Sequence, residues 1–326
     1  MRTEKFSMRI ALVAAVTAVA LMTGASHAQS YPKGPISLVI PLTPGDATDI
    51  AARVMGEELA KLLRVAVVPV NRPGAGGALG TESVVKAAKD GTTILITINA
   101  ALTFRRVLEP QNVQYDPLKD LTPLGLTTRI PSILAVRDDL PYKNFGEMIE
   151  HAKKNPGALR AGTVGAGSVG DFTVQMINAL AGVDITMVPF KGASPAITAL
   201  RGGHIECVAL ALGALSGQLK SGAMRGIVIS GKFPEFPAIP TLSEIGFAQN
   251  LLGVWLGFFA PAGVPAEVAG ALVPAIEKVA KDPAIVARLA ALGMLQDYAS
   301  PEKLAEEIRE EHRIVEGIAK RAGLVK

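Results

Sequence analysis

Three glycine-containing stretches hold the residues best placed to bind a small molecule. The first, Pro41-Leu42-Thr43-Pro44-Gly45-Asp46-Ala47-Thr48-Asp49, follows an apolar β-type run and opens a helical pattern. Such a turn presents the unpaired N–H groups of a helix N-terminus, whose partial positive charge suits a carboxylate. Two uses are open: the loop binds a ligand, or Asp46, Thr48 or Asp49 caps the helix. The second stretch, Asn71-Arg72-Pro73-Gly74-Ala75-Gly76-Gly77, lacks the Lys-Ser or Lys-Thr ending of a phosphate-binding loop. A structural role is expected for it, with Asn71 and Arg72 bracing the loop. The third, Gly165-Ala166-Gly167-Ser168-Val169-Gly170, matches the G-x-G-x-x-G dinucleotide fingerprint. That chemistry also needs an acidic residue about 20 residues on, at the end of the next strand. Pro189-Phe190-Lys191 stands there instead, and Asp184 precedes the strand. No cofactor is therefore expected, while Thr163, Ser168 and the loop amides remain available to a small ligand.

Catalytic chemistry finds no set of residues to carry it. The nucleophile pattern G-x-S-x-G lacks its first glycine at Ala166-Gly167-Ser168-Val169-Gly170. Beyond the N-terminal segment the histidines are His151, His204 and His312, without metal-ligand spacing. Neither an enzyme nor a metal site is expected.

The elements that must position these loops follow from periodicity. Strands are expected at Ile36–Ile40, Val65–Val70, Thr92–Ile98, Ser132–Val136, Leu159–Thr163, Thr186–Phe190, Ile205–Leu212 and Arg225–Ser230. Helices alternate with them at Asp49–Leu63, Thr81–Ala88, Phe145–Lys154, Phe172–Ala181, Ser194–Arg201 and Leu215–Ser221. Strand–helix–strand alternation predicts an α/β fold of mostly parallel sheets flanked by helices. After a last strand at Val254–Ala260, everything beyond Pro265 reads as helix, each segment opening near a proline. Two strand-rich blocks and a helical tail suggest two lobes with a ligand cleft between them. The expected lobes are 29–129 plus 252–326, and 130–251.

The N-terminus explains where such a protein works. Arg2, Lys5 and Arg9 precede the apolar stretch Ile10–Met22, and Ser26-His27-Ala28 closes it. This is the pattern of a cleavable secretory signal, residues 1–28, too short for a membrane span. Cleavage takes the formal charge from +4 to +2, which excludes the strong basic excess of a nucleic-acid binder. The single cysteine, Cys207, lies in an apolar run and reads as a buried strand residue.

With these residues in view, the chain resembles the Bug-type substrate-binding proteins of tripartite tricarboxylate transporters. The resemblance spans residues 31–326. It rests on Tyr31-Pro32, the turn at 41–49, the loop at 71–77, Tyr115-Asp116-Pro117, Val188-Pro189-Phe190-Lys191-Gly192 and Ala260-Pro261-Ala262-Gly263. It implies a two-lobed periplasmic binding protein, type II-like, closing on a carboxylate-bearing or zwitterionic solute. Delivery to a membrane permease of two integral components is implied, with a sensory partner or an exported enzyme as alternatives. A monomer without nucleic-acid partners is expected. The expected ligand contacts are Leu42, Thr43, Gly45, Asp46, Ala47, Thr48 and Asn99 from one lobe. From the other come Thr163, Gly165, Ala166, Gly167, Ser168, Val169 and Leu210. The chain departs from the family pattern at Leu42 (usually aromatic), Asp46 (usually glycine), Val169-Gly170-Asp171 and Leu210 (often acidic). An ionised Asp46 beside an anion would repel it by about 1 kcal/mol in water at 4 Å. Either Asp46 turns to cap its helix, or the ligand there is not a simple anion; Arg105 and Arg106 are near enough in sequence to offset it.

Overall fold

The computed structural model describes residues 31–165, 167–321 and 323–325. The expected signal segment, residues 1–28, and Ala166 lie outside them. The strands β1 (Ile36–Ile40), β2 (Val67–Asn71), β3 (Thr93–Ile98), β4 (Leu121–Ile130), β10 (Val254–Pro261) and β11 (Leu295–Ala299) form one sheet, in the order β11-β4-β10-β3-β1-β2. A second sheet holds β5 (Ser132–Arg137), β6 (Arg160–Thr163), β7 (Thr186–Pro189), β8 (Cys207–Ala211) and β9 (Met224–Ile229), in the order β7-β6-β8-β5-β9.

The central strands of each sheet are buried on both faces, and the alternation of side chains along a strand decides which residue enters which core. In the first sheet Leu38, Ile40, Ile94 and Ile96 join one core, while Val39 and Leu95 join the other. Helices α1 (Ala47–Leu63), α8 (Ala266–Ala280) and α9 (Pro283–Ala290) cover the former. Helices α2 (Ala78–Val85) and α10 (Pro301–Arg321) contribute Ala78, Val84, Leu304 and Ile308 to the latter. The second sheet is packed likewise by α4 (Phe145–Lys154) and α5 (Val169–Ala181) on one face. On the other lie α6 (Ala193–Arg201) and α7 (Leu212–Lys220). Cys207 is fully buried, and burial pushes its thiol up to about 12.

Both sheets are mixed, which corrects the expectation of mostly parallel ones. The pairs β1–β2, β1–β3, β6–β7 and β6–β8 are parallel; β3–β10, β4–β10, β4–β11, β5–β8 and β5–β9 are antiparallel. The reason is the double crossing between sheets. β4 leaves the first sheet and β5 enters the second, whereas β9 leaves the second and β10 returns. Outgoing and incoming strands lie side by side, so they run in opposite directions. Two strands also escaped the periodicity. β4 carries Pro123 and Gly125, both strand breakers by local propensity. β11, Leu-Gln-Asp-Tyr-Ala, is a polar edge strand inside what read as an all-helical tail.

Candidate functional site

β1 and β6 each run into a turn that opens a long helix, and the two turns share one construction. In the first, Asp46 is the N-cap of α1, its Oδ1 accepting from the Thr48 N–H at 2.8 Å. Behind it, the buried Asp49 carboxylate accepts from the Gly45 N–H at 2.9 Å. In the second, Ser168 caps α5, its Oγ accepting from the Asp171 N–H at 3.1 Å. The buried Asp171 carboxylate accepts from the Gly167 N–H at 2.7 Å. Both turns therefore read Gly-cap-x-x-Asp: Gly45-Asp46-Ala47-Thr48-Asp49 and Gly167-Ser168-Val169-Gly170-Asp171. The Asp reaches back and folds the loop over the helix end.

Asp49 is the hub of its turn. It also accepts from Arg53 Nε at 3.0 Å and from Asn71 Nδ2 at 2.8 Å, while Asn71 Nδ2 also donates to the Leu42 carbonyl at 3.0 Å. Asn71 thus braces the first turn from β2, rather than the 71–77 loop it was expected to brace. Burial pushes the Asp49 carboxyl up, but the donors from Arg53, Gly45 and Asn71 outweigh it and hold the pKa below the usual range. Asp46 is shifted the other way: burial raises its pKa against the pull of the Thr48 N–H, with Asp49 adding to the rise. Its carboxylate caps the helix, which resolves one of the two uses left open for it.

The third glycine of the G-x-G-x-x-G stretch has a packing reason. A Cβ on Gly170 would sit 2.1 Å from the Ala209 carbonyl oxygen, so α5 rests directly on the β8 backbone. Close helix–strand approach is what the last glycine of a dinucleotide fingerprint also supplies, hence the resemblance without the chemistry.

The other expected contacts separate into groups. Thr43 and Gly45 are exposed, and Leu42, Asp46, Ala47, Gly165 and Ser168 are half-buried at the loop surfaces. Thr48 and Thr163 are buried, Thr163 Oγ1 accepting from the Gly165 N–H at 3.3 Å. The N–H groups of Gly45 and Gly167, expected to face a ligand, are taken by Asp49 and Asp171. Leu210 and Val169 are corrected: both side chains are in cores, Leu210 beside Ile133 and Val208, Val169 beside Phe172. Strand alternation puts Leu210 on the α6–α7 face, opposite Ala209. Asn99 is fully buried, its Nδ2 donating to the Gly253 carbonyl at 2.9 Å and to Glu311 Oε1 at 2.8 Å.

Asn99 marks the junction of the two sheets. The chain crosses at Ile130-Pro131-Ser132 and returns at Leu252-Gly253. Ser132 Oγ donates to the Leu252 carbonyl at 2.7 Å, and the Ser132 N–H donates to Ser230 Oγ at 3.0 Å. Two further contacts join the lobes. Phe104, in the π-helical turn Ala100–Phe104, meets Phe172 of α5 edge to face at 5.0 Å. Arg105, which opens the short helix α3 (Arg105–Leu108), pairs with Glu109 at 2.7 Å and lies against both glycine loops. A Cβ on Gly76 would meet its Nε at 2.2 Å, and one on Gly167 would lie 3.5 Å from its guanidinium carbon.

Asp49 was expected only as a possible cap and Asp171 was given no role, although the repeated Gly-x-x-x-Asp spacing was a signal that both fold their turns. Glu311 carried no local signal at all. Among the described residues, no group of three or more His, Cys, Asp or Glu is gathered as a metal would need. Two surface hollows, of about 650 and 410 Å³, are lined by residues outside both turns.

The comparisons with known proteins agree on one family. The model described as "Tripartite tricarboxylate transporter family receptor" matches residues 51–324. A UPF0065 protein from the TAR-I ttuE-ttuC' intergenic region of Agrobacterium vitis is 33% identical over 310 residues, covering 94% of this chain and 88% of the relative. The solved structure of Rpa4515 from R. palustris with adipate superposes with a TM-score of 0.82 at 27% identity, covering 90% of this chain and 98% of that one. MatC from Rhodopseudomonas palustris with bound malate gives 0.79 at 31% identity, covering 88% and 99%.

Proposed function

Because the chain belongs to the tripartite tricarboxylate transporter receptor family, we propose that its cleft captures a small carboxylate and delivers it to a membrane permease of two integral components. The observation that carries the reading is the pair of Gly-cap-x-x-Asp turns, one per lobe, each ending a strand and opening a helix. The first-turn N–H groups and positive ends of α1 and α5 are the natural partners of a carboxylate. Two relatives of known structure hold adipate and malate, which supports a dicarboxylate here.

In this reading the lobes are residues 29–129 plus 252–326, and residues 130–251, and they move about the two crossings. A ligand touching both lobes favours the closed arrangement by its differential affinity for it. Thr43, Asp46, Gly165 and Ser168 are the proposed ligand-facing residues, joined by the backbone of the α1 and α5 first turns. The receptor acts as a periplasmic monomer, exported by residues 1–28, and performs no chemistry on its ligand.

The test is a pair of measurements on the mature chain. Isothermal calorimetry with adipate and with malate should give saturable 1:1 binding, and small-angle scattering should show compaction on adding the ligand that binds. Binding without compaction would remove the clamp; turnover of either compound would replace the receptor by an enzyme.

A further inference from the structure

Helix α10 has two halves that serve different lobes. Leu304 and Ile308 fill the core of the first sheet, whereas Val315, Ile318 and Ala319 join the cluster that contains Phe172, Ile177 and Leu134 of the second lobe. Where the helix passes from one to the other lies Glu311, an acid 6% exposed. Its Oε1 accepts from Asn99 Nδ2 at 2.8 Å and Trp255 Nε1 at 3.1 Å, and its Oε2 lies 2.6 Å from Thr103 Oγ1. These three partners are all neutral.

The charged groups around it come from several elements. On α10 itself Glu307, one turn earlier, raises its proton affinity, but Glu307 is held by Arg129 of β4 at 2.9 Å, which also binds Asp297 of β11. His312, the next residue, neighbours Arg106 of α3, which faces Asp116 at 3.4 Å. From the end of β3, the π turn and β10 come the neutral Asn99, Thr103 and Trp255. Burial, against the pull of these donors, pushes the Glu311 carboxyl up to about 7.

The surrounding hydrogen bonds suit both of its protonation states. Thr103 Oγ1 has one proton and two acceptors in reach, Glu311 Oε2 at 2.6 Å and the Asn99 carbonyl at 2.9 Å. With Glu311 ionised, the hydroxyl donates to the carboxylate. With Glu311 protonated, the acid donates to Thr103, whose hydroxyl turns to the Asn99 carbonyl. One rotation of one hydroxyl exchanges the two states and leaves no donor stranded. The same Asn99 amide that holds Glu311 also holds Gly253, where the chain crosses back between lobes. Because β1 and β3 are parallel neighbours, Asn99, which follows β3, and the turn that follows β1 lie at the same edge of the first sheet.

We propose that Glu311 is a proton site built into the hinge, and that closing over an anionic ligand draws one proton onto it. An ionised Glu311 adds negative charge at the sheet edge where the anion is held, so anion and proton favour each other's binding, reciprocally. Glu311 acts as a positioning residue through Asn99 and Gly253, without touching the ligand. The proposal deepens the carboxylate reading and rests on it for the ligand's charge.

Calorimetry of the mature chain with adipate and with malate, in buffers of different ionisation enthalpy, reads the coupling directly. The wild type should take up a fraction of a proton per ligand at pH 7, and its Kd should weaken about tenfold from pH 6 to pH 8. Glu311→Gln mimics the protonated acid, with Oε1 still accepting from Asn99 and Trp255 and Nε2 donating to Thr103. It should bind with a flat pH profile and lose the extra uptake, while His312→Asn keeps it. Equal proton uptake in wild type and Glu311→Gln overturns the proposal. If neither compound binds, the carboxylate reading fails, and the coupling to anion capture falls with it. The proton site itself is judged separately by carboxyl-¹³C NMR of the ligand-free protein. A Glu311 midpoint near neutrality, moved upward by Thr103→Val, supports it; a midpoint in the ordinary glutamate range rejects it.

Discussion

Asp49 and Asp171 show how one residue type can shape a turn by turning its charge onto the backbone. Each sits in the first turn of its helix and accepts from a glycine N–H four residues earlier. Asp46 is different, since it stands half-buried at the loop surface, where burial raises its pKa. Its cap to Thr48 is replaceable, because glycine at an N-cap costs only a few tenths of a kcal/mol relative to aspartate. Asp46→Gly should therefore fold normally and bind adipate several-fold more tightly, through loss of like-charge repulsion of about 1 kcal/mol. Calorimetry showing equal or weaker adipate binding would mean that Asp46 contributes only its cap. The cap itself was legible from sequence as one of two possibilities. Its choice needed the coordinates, because both uses demand the same residue at the same place.

At the scale of elements, the two Gly-cap-x-x-Asp turns depend on where α1 and α5 are seated. For α5 the seat is the Ala209 carbonyl, which a Cβ on Gly170 would approach to 2.1 Å. Gly170→Ala must lift the first turn of α5 off β8 and carry Ser168 and Gly167 with it. A loss of about 1–3 kcal/mol is expected in urea unfolding, as for other overpacked sites, together with weaker ligand binding. An unchanged unfolding midpoint would show that the helix tilts at no cost. The helices were well marked in the sequence: α4 begins and ends at the expected Phe145 and Lys154, and the structure adds Asn144 as its N-cap. The strands were less evenly marked. Pro123 and Gly125 hid β4, whose pairing with β10 on one side and β11 on the other overrides their local preference.

The whole molecule is held together by contacts that cross the cleft as well as by its two double-faced cores. The Phe104–Phe172 pair and the second half of α10 join the lobes on one flank. On another, the Gly293 turn abuts Gly213 at the start of α7. Glu311 lies at the crossing of this frame, and its raised pKa makes a statement about stability. A carboxyl that holds its proton more tightly when folded stabilises the protein fully below its unfolded pKa, and that contribution is lost as pH rises through about 7. The ligand-free wild type should lose up to about 3 kcal/mol between pH 4.5 and 8 from this group. Glu311→Gln should lose much less, so its melting temperature, relative to wild type, should rise with pH. Parallel melting curves for the two proteins across that range would refute the assignment.

By itself the sequence determined whatever depends on neighbours along the chain. Alternation and helical period located most elements, prolines and caps marked helix starts, and the ordered motifs implied the family that the comparisons then established. The tertiary structure decided what depends on residues far apart. Asn99 meets Glu311 across 212 positions and Gly253 across 154, so no window of sequence holds the hinge. Strand direction was likewise undecidable locally, since a chain that leaves one sheet and returns through another is free of the rule that makes βαβ units parallel. Leu210 and Val169 read as loop-edge candidates until packing showed which face of the sheet each one fills.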